Sequence, residues 1–287
     1  MIPGSFEYHC PTTIDEAVRL LATQDAKILA GGHSLLPMMK LRFAEPSHLI
    51  DINRIGELKG IREDGGVIRI GAMITEAELI TSPLINAKVP LLAEAARQIA
   101  DPQVRNRGTL GGDAVHGDPG NDQPAVLIAL GASYVLRGPK GERSVAADGF
   151  YLGTFMTQMA ADEILKEIVV PVPRAGSGHA YCKLKRKTGD YATAATAVQL
   201  ALAGGVCSKA AIALTNVGPT PLNATAAAAL LAGKSIDDKL IEQAAQAAMA
   251  ICDPAEDLRG DREYRTAMAG EMTRRAIRLA VTRAQGG

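Results

Sequence analysis

Two glycine pairs stand in similar surroundings, Ala30-Gly31-Gly32-His33-Ser34 and Thr109-Leu110-Gly111-Gly112-Asp113. Glycine lacks a Cβ, so the backbone there can approach a ligand closely and point successive N–H groups at an anion. In the first pair, Ser34 and a helix start at Leu35 would add a helix N-terminus suited to phosphate. One such pair is an ordinary turn; two in matching context suggest loops that hold a ligand. Neither is a GxGxxG turn, because positions 31, 32 and 36 read Gly, Gly, Leu, and no GxxxxGK followed by Ser or Thr occurs. A Rossmann dinucleotide turn and a P-loop are therefore poorly supported.

A second feature is Lys183-Leu184-Lys185-Arg186-Lys187 within a β-like run. Alternation there puts Lys183, Lys185 and Lys187 on one face. Such a face is either simply solvated or able to hold a phosphate or an anionic cofactor. Gly189-Asp190-Tyr191 follows at once and brings an aromatic ring near these cations. For hydrolysis the candidates are Ser34 beside His33, and His116 two residues from Asp118. Neighbours in one loop rarely aim at a common centre, and no GxSxG elbow exists, so a hydrolase is not expected. His116 reads instead as a turn residue.

Cys10, Cys182, Cys207 and Cys252 form no Cys-x-x-Cys pair, and His9, His33, His48, His116 and His179 are equally scattered. A resident metal or iron–sulfur cluster is not expected from that spacing. The 287 residues carry 31 Lys+Arg and 31 Asp+Glu, a formal net charge of zero, which argues against nucleic acid as a partner. Hydrophobic residues make up 47% but aromatics only 3%, with no Trp, so the core must be aliphatic and alanine-rich. A start without basic and apolar leader regions, and no run of about 20 apolar residues, point to a cytoplasmic protein with free thiols.

The elements that must position these residues fall into an α+β pattern over roughly two domains. Thr13 and Glu16 form a capping-box pair at the head of a helix over 11–25, where Ile14, Ala17, Val18 and Leu21 recur at helical spacing. β-like runs occupy 27–30, 48–52 and 67–74. A helix over 90–100 begins at Pro90, with Asp101-Pro102 as its stop, and another covers 124–130. Consecutive Pro and Gly residues over 171–178 mark a boundary. Beyond it come strands at 179–188, 196–203 and 206–214, then helices at 222–231, 236–251 and 262–284, an antiparallel sheet with helices beside it.

AGGHSLL (30–36), IADPQVRNRGTLGGDAVHGDPGND (99–122) and KLKRKTGDYA (183–192) resemble the flavoprotein subunits of the molybdenum hydroxylase (xanthine oxidase) family. Within it the likeness is to the medium, FAD-binding subunits of aerobic carbon monoxide dehydrogenases, more than to nicotinate, hydroxybenzoyl-CoA or purine relatives. It runs over essentially the whole chain, including MIPGSFEYH at the start and LTNVGPTPL at 214–222.

The resemblance implies a vanillyl-alcohol-oxidase type of FAD-binding domain in two α+β subdomains, 1–55 and 56–176, and a C-terminal sheet-and-helix domain, 177–287. It implies that Lys27, Leu29, Ala30, Gly31, Gly32, His33, Ser34 and Leu35 surround the FAD diphosphate. Thr109, Leu110, Gly111, Gly112 and Asp113 would run along the diphosphate and ribityl chain. Ile99, Ala100 and Val104 would line the adenine side, Asp122 would bond sugar hydroxyls, and Leu165 would pack near the cofactor. Lys185 would sit close to the flavin and tune it, and Tyr191 would cover one isoalloxazine face. Asp113 stands where many relatives carry Asn, which can donate as well as accept hydrogen bonds.

By the same resemblance, a large partner subunit holds a molybdenum–copper cofactor and a small one holds two 2Fe–2S clusters, in a dimer of heterotrimers. The FAD would pass electrons to quinone or another external acceptor, with at most peripheral association at the inner face of the cytoplasmic membrane. Electron transfer of this kind needs a bound redox cofactor and little acid–base machinery, so the resemblance implies no catalytic residue on this chain. A self-sufficient flavin oxidoreductase on the same fold would need its own substrate base.

Overall fold

The computed structural model describes residues 1–22 and 25–286. The first sheet contains β1 (Glu7–His9), β2 (Ala26–Leu29) and β3 (His48–Asp51), with α1 (Ile14–Leu21) and α2 (Leu35–Lys40) in the connections. Its order is β1-β3-β2 and both pairings are parallel. Parallel neighbours require crossovers, which the two helices supply. At α1, the Thr13 hydroxyl accepts the Glu16 amide at 3.2 Å, and the Glu16 carboxylate accepts the Thr12 amide at 3.0 Å. Ile14, Ala17, Val18 and Leu21 then pack on Ile50, Ile52, Ile55 and Leu58. Thr23 and Gln24, at the end of the predicted span 11–25, lie outside the described residues.

The second sheet opens with β4 (Ile61–Asp64) and β5 (Val67–Gly71). Six helices follow: α3 (Glu76–Thr81), α4 (Pro83–Lys88), α5 (Pro90–Ala96), α6 (Pro102–Arg105), α7 (Leu110–His116) and α8 (Gln123–Ala129). Then come β6 (Ser133–Gly138), β7 (Gly141–Ala146), a small hairpin of β8 (Tyr151–Gly153) and β9 (Met156–Thr157), and β10 (Ile164–Pro171). The antiparallel order β4-β5-β10-β6-β7 places β10 at the centre, although it is last in sequence. The predicted helix 90–100 ends at Ala96. Asp101-Pro102 starts α6 rather than stopping α5: the Asp101 carboxylate accepts the Val104 amide at 3.0 Å, and Pro102 occupies the first turn, where its missing N–H costs nothing.

The third sheet is β11 (Ser177–Leu184), β12 (Ala194–Ala203), β13 (Val206–Thr215) and β14 (Leu222–Asn223), antiparallel in that order. Helices α9 (Thr225–Leu231), α10 (Asp238–Met249) and α11 (Arg262–Ala284) complete the chain. Ala269, Ala276 and Ala280 of α11 are fully buried with Ala194, Val198 and Ile212 of the sheet, so small side chains bring helix and sheet close together. This is the alanine-rich core that the low aromatic content demands. Two residues thought to be helical, Leu222 and Asn223, pair instead with Leu214 and Ala213.

Candidate functional site

The turn from β2 into α2 carries the first glycine pair. A Cβ on Gly31 would lie 2.2 Å from the Arg107 carbonyl oxygen, so only glycine lets this turn rest against the 107–108 backbone. Gly32 has φ +78°, a conformation that L side chains rarely adopt. Among the described residues, the amides of Gly31, Gly32, His33 and Ser34 have no hydrogen-bond partner in the chain, and the Ser34 hydroxyl makes no cap bond to α2. Four N–H donors and one hydroxyl are thus grouped in one turn, a nest for an anion.

The second glycine pair behaves differently. It is not a loop but the first turn of α7, capped by Thr109. Its amides are already used: Leu110 donates to the Ile74 carbonyl at 2.8 Å, Gly111 to the Ala72 carbonyl at 2.9 Å, and Gly112 to the Thr109 hydroxyl at 3.1 Å. A Cβ on Gly111 would meet the Ala72 Cβ and carbonyl oxygen at 2.6 Å. This pair therefore serves the close seating of α7 on the chain leaving β5. The run of consecutive free amides belongs to the first loop.

Both loops open onto one cleft of about 770 Å³, within the size range of small-molecule and cofactor sites. Its inner wall is acidic. Asp122 is 5% exposed and lies 2.6 Å from the Lys183 amine, itself 1% exposed. The Tyr181 hydroxyl donates to the other Asp122 oxygen. Burial raises the Asp122 carboxyl more than Lys183 and Tyr181 lower it. Asp113 accepts the Gln123 amide at 3.0 Å, and burial followed by the nearby Asp122 charge pushes its carboxyl up to about 8. At neutral pH Asp113 thus largely keeps its proton and can donate a hydrogen bond, as Asn would. Glu76 is driven upward too, first by burial and then by Asp113. One Glu76 oxygen accepts Gln123 Nε2 at 2.8 Å, and the other, Oε1, is buried without a partner.

The mouth is aromatic and apolar. Tyr191 lines it with its ring half exposed. The preceding Asp190 is held by Arg186 and Arg259, each at 3.0 Å, which anchors the 189–191 turn after β11. His116 packs against Phe155 with ring centroids 5.1 Å apart, and burial lowers its pKa. Asp118 accepts the Gly120 amide at 2.8 Å and makes no hydrogen bond to His116. Among the described residues, no hydrogen bond joins Ser34 to His33. Neither hydrolytic pair is assembled.

Of the residues expected at the site, Lys27, Ala30, Gly31, Gly32, His33, Ser34, Leu35, Ile99, Ala100, Val104, Thr109, Gly111, Gly112, Asp113, Asp122, Leu165 and Tyr191 line the cleft. Three expected residues do not: Leu29, Leu110 and Lys185. Leu29 points toward Gly32 and Leu36 in the turn, and Leu110 is fully buried in the core. Lys185 falls beyond the end of β11, and its amine donates to the Gln98 carbonyl at 3.2 Å. The strand ends at Leu184, but the amines of Lys183 and Lys185 still meet at the Gln98 carbonyl, at 3.3 and 3.2 Å; of the three lysines only Lys183 lines the cleft, and Lys187 is exposed. Glu76 gave no signal in the sequence, because a glutamate in the first turn of a helix ordinarily faces water.

Residues 4–173 match the family model described as FAD binding domain in molybdopterin dehydrogenase, and residues 179–280 match that of the CO dehydrogenase flavoprotein C-terminal domain. The chain belongs to the FAD-binding medium subunits of the molybdenum hydroxylases. These medium subunits are parts of oxidoreductases. The chain is 59% identical over 285 residues to the carbon monoxide dehydrogenase medium chain of Hydrogenophaga pseudoflava, covering 99% of each. It is 53% identical to that of Afipia carboxidovorans, covering 99% of this chain and 100% of that one. The nicotine 6-hydroxylase medium subunit of Paenarthrobacter nicotinovorans stands lower, at 37%, with 95% and 96% covered. A solved carbon monoxide dehydrogenase from H. pseudoflava superposes with a TM-score of 0.98 at 61% identity, covering 99% of both chains. No helix among the described residues is long and apolar enough to cross a membrane.

Proposed function

We propose that the cleft holds FAD and that this chain is the electron-transfer subunit of a molybdenum–copper carbon monoxide dehydrogenase. The large partner subunit would convert CO and water to CO2, two protons and two electrons. The electrons would reach this subunit through two 2Fe–2S clusters on a small partner and leave to quinone or another external acceptor. The complex would be a dimer of heterotrimers in the cytoplasm. Its contact with the membrane would be at most peripheral, at the inner face.

The observation that carries this reading is the pairing, in one cleft, of the free amides of Gly31 to Ser34 with the half-exposed ring of Tyr191. The amides and the Ser34 hydroxyl suit a diphosphate, where backbone donors neutralise charge without competing ion pairs. Tyr191 offers an aromatic plane for stacking. Asp113, with its proton retained, can donate to a ribityl or ribose oxygen, which removes the repulsion an ionised carboxylate would bring beside a diphosphate. The Lys183–Asp122 pair gives the inner wall a fixed, nearly neutral dipole, and the Lys185 amine, on the same Gln98 carbonyl as Lys183, adds a cation behind it. Bound FAD supplies a carrier able to accept two electrons and release them singly. The residues around it need only bind, orient and exclude water.

The test is to purify the assembled complex, record its visible spectrum and metal content, and add CO without oxygen. The expected result is one FAD per copy of this chain, molybdenum, copper and iron in the complex, and flavin absorbance that bleaches with CO. A complex that holds the metals but no flavin, or whose flavin CO does not reduce, would overturn the proposal.

A further inference from the structure

Away from the cleft, the first sheet brings together three residues that the chain separates. Side chains alternate along a strand, so Glu7 and His9 share one face of β1. The parallel register sets Glu7 opposite His48 of β3, and that places His48 on the same face. Tyr8 and Asp51 occupy the opposite face, where the Tyr8 hydroxyl donates to Asp51 at 2.5 Å.

His9 Nε2 lies 3.1 Å from His48 Nδ1, and a Glu7 carboxylate oxygen lies 4.0 Å from the first and 3.7 Å from the second. A triangle with those sides has a circumradius of about 2.1 Å, so one point is equidistant from all three ligand atoms at the length of a Zn–N or Zn–O bond. The rings are stacked, with centroids 5.3 Å apart and planes inclined by 26°. The side chains are 74%, 29% and 23% exposed for Glu7, His9 and His48, which leaves the open side of the ligand plane accessible to water. Two imidazoles and a carboxylate suit zinc and its neighbours, whereas magnesium and calcium favour all-oxygen sets.

We propose that Glu7, His9 and His48 form a surface site for a divalent transition cation of the zinc class. The cation would clip the short edge strand β1 to β3, in place of the single N–H···N bond the two rings can otherwise share. The site is independent of the cofactor cleft, and its failure would leave the FAD reading untouched.

The probe is zinc chloride, titrated calorimetrically into the full chain after chelator treatment. Wild type is expected to bind one zinc per chain at micromolar Kd or tighter, and zinc should raise its unfolding temperature. His9→Gln and His48→Gln should each weaken binding at least tenfold and abolish the temperature rise. Glu7→Gln, at an exposed position that folding tolerates, should weaken binding by a smaller factor and keeps the test open if a histidine variant misfolds. Absence of stoichiometric zinc in wild type would overturn the proposal. So would zinc binding unchanged by Glu7→Gln and by the folded histidine variants.

Discussion

Lys183 and Asp122 form an ion pair of 2.6 Å with both side chains almost wholly out of water. Each charge has lost its hydration and depends on the other, with Tyr181 as a second donor to the carboxylate. Removing one partner strands a buried charge, a loss of about 3–5 kcal/mol. Lys183→Met should therefore destabilise the chain by that order in urea unfolding. Lys183→Met with Asp122→Asn should cost clearly less than the two single losses combined. Additive losses would show that the pair is not coupled.

Gly31 should tolerate no side chain. In Gly31→Ala the new Cβ would overlap the Arg107 carbonyl oxygen, and displacing either backbone costs about 1–3 kcal/mol and disturbs the free amides. The purified variant should hold less than half the wild-type FAD per chain while its far-UV circular dichroism stays unchanged. Full flavin occupancy would refute the role given to this turn.

Asp113 makes stability depend on pH in a defined direction. Its folded carboxyl titrates at about 8, above the usual carboxylate range, so the native state binds the proton more tightly than the unfolded chain. That contribution is complete below about pH 4 and is lost as pH rises toward and through 8. Asp113→Asn keeps an acceptor for the Gln123 amide and cannot ionise. Relative to wild type it should gain stability between pH 4 and 9, by at least about 1 kcal/mol. Parallel stability profiles for the two proteins would rule out a protonated Asp113.

Tyr191 should contribute through its ring. Tyr191→Phe is expected to retain FAD like wild type, and Tyr191→Ala to release it roughly fivefold more readily, the equivalent of about 1 kcal/mol of stacking. Flavin fluorescence after dialysis measures the released fraction. Equal release from Phe and Ala variants would point to the hydroxyl instead.

Much of this molecule is legible locally. Periodicity and caps place α11 at 262–284, the span found, and the strands β12 and β13 within two residues at each end. Of the Pro- and Gly-rich stretch 171–178, residues 172–176 connect the second sheet to the third, while Pro171 ends β10 and Ser177 and Gly178 begin β11. The two glycine segments and Tyr191 stand out by residue type, whereas Lys27, Ile99, Ala100, Val104, Asp122 and Leu165 are expected in the cleft only from the family resemblance. What the sequence determined was the kind of element and the kind of chemistry, both of which depend on a few neighbouring residues. Partner choice was decided only in three dimensions. The amides of the second glycine pair are consumed by residues 72 and 74, Lys183 rather than Lys185 meets Asp122 across 61 residues, and His9 meets His48 across 39. Hydrogen bonds and ion pairs need atoms within about 3 Å, and a linear chain carries that distance only after strand order and register have been set.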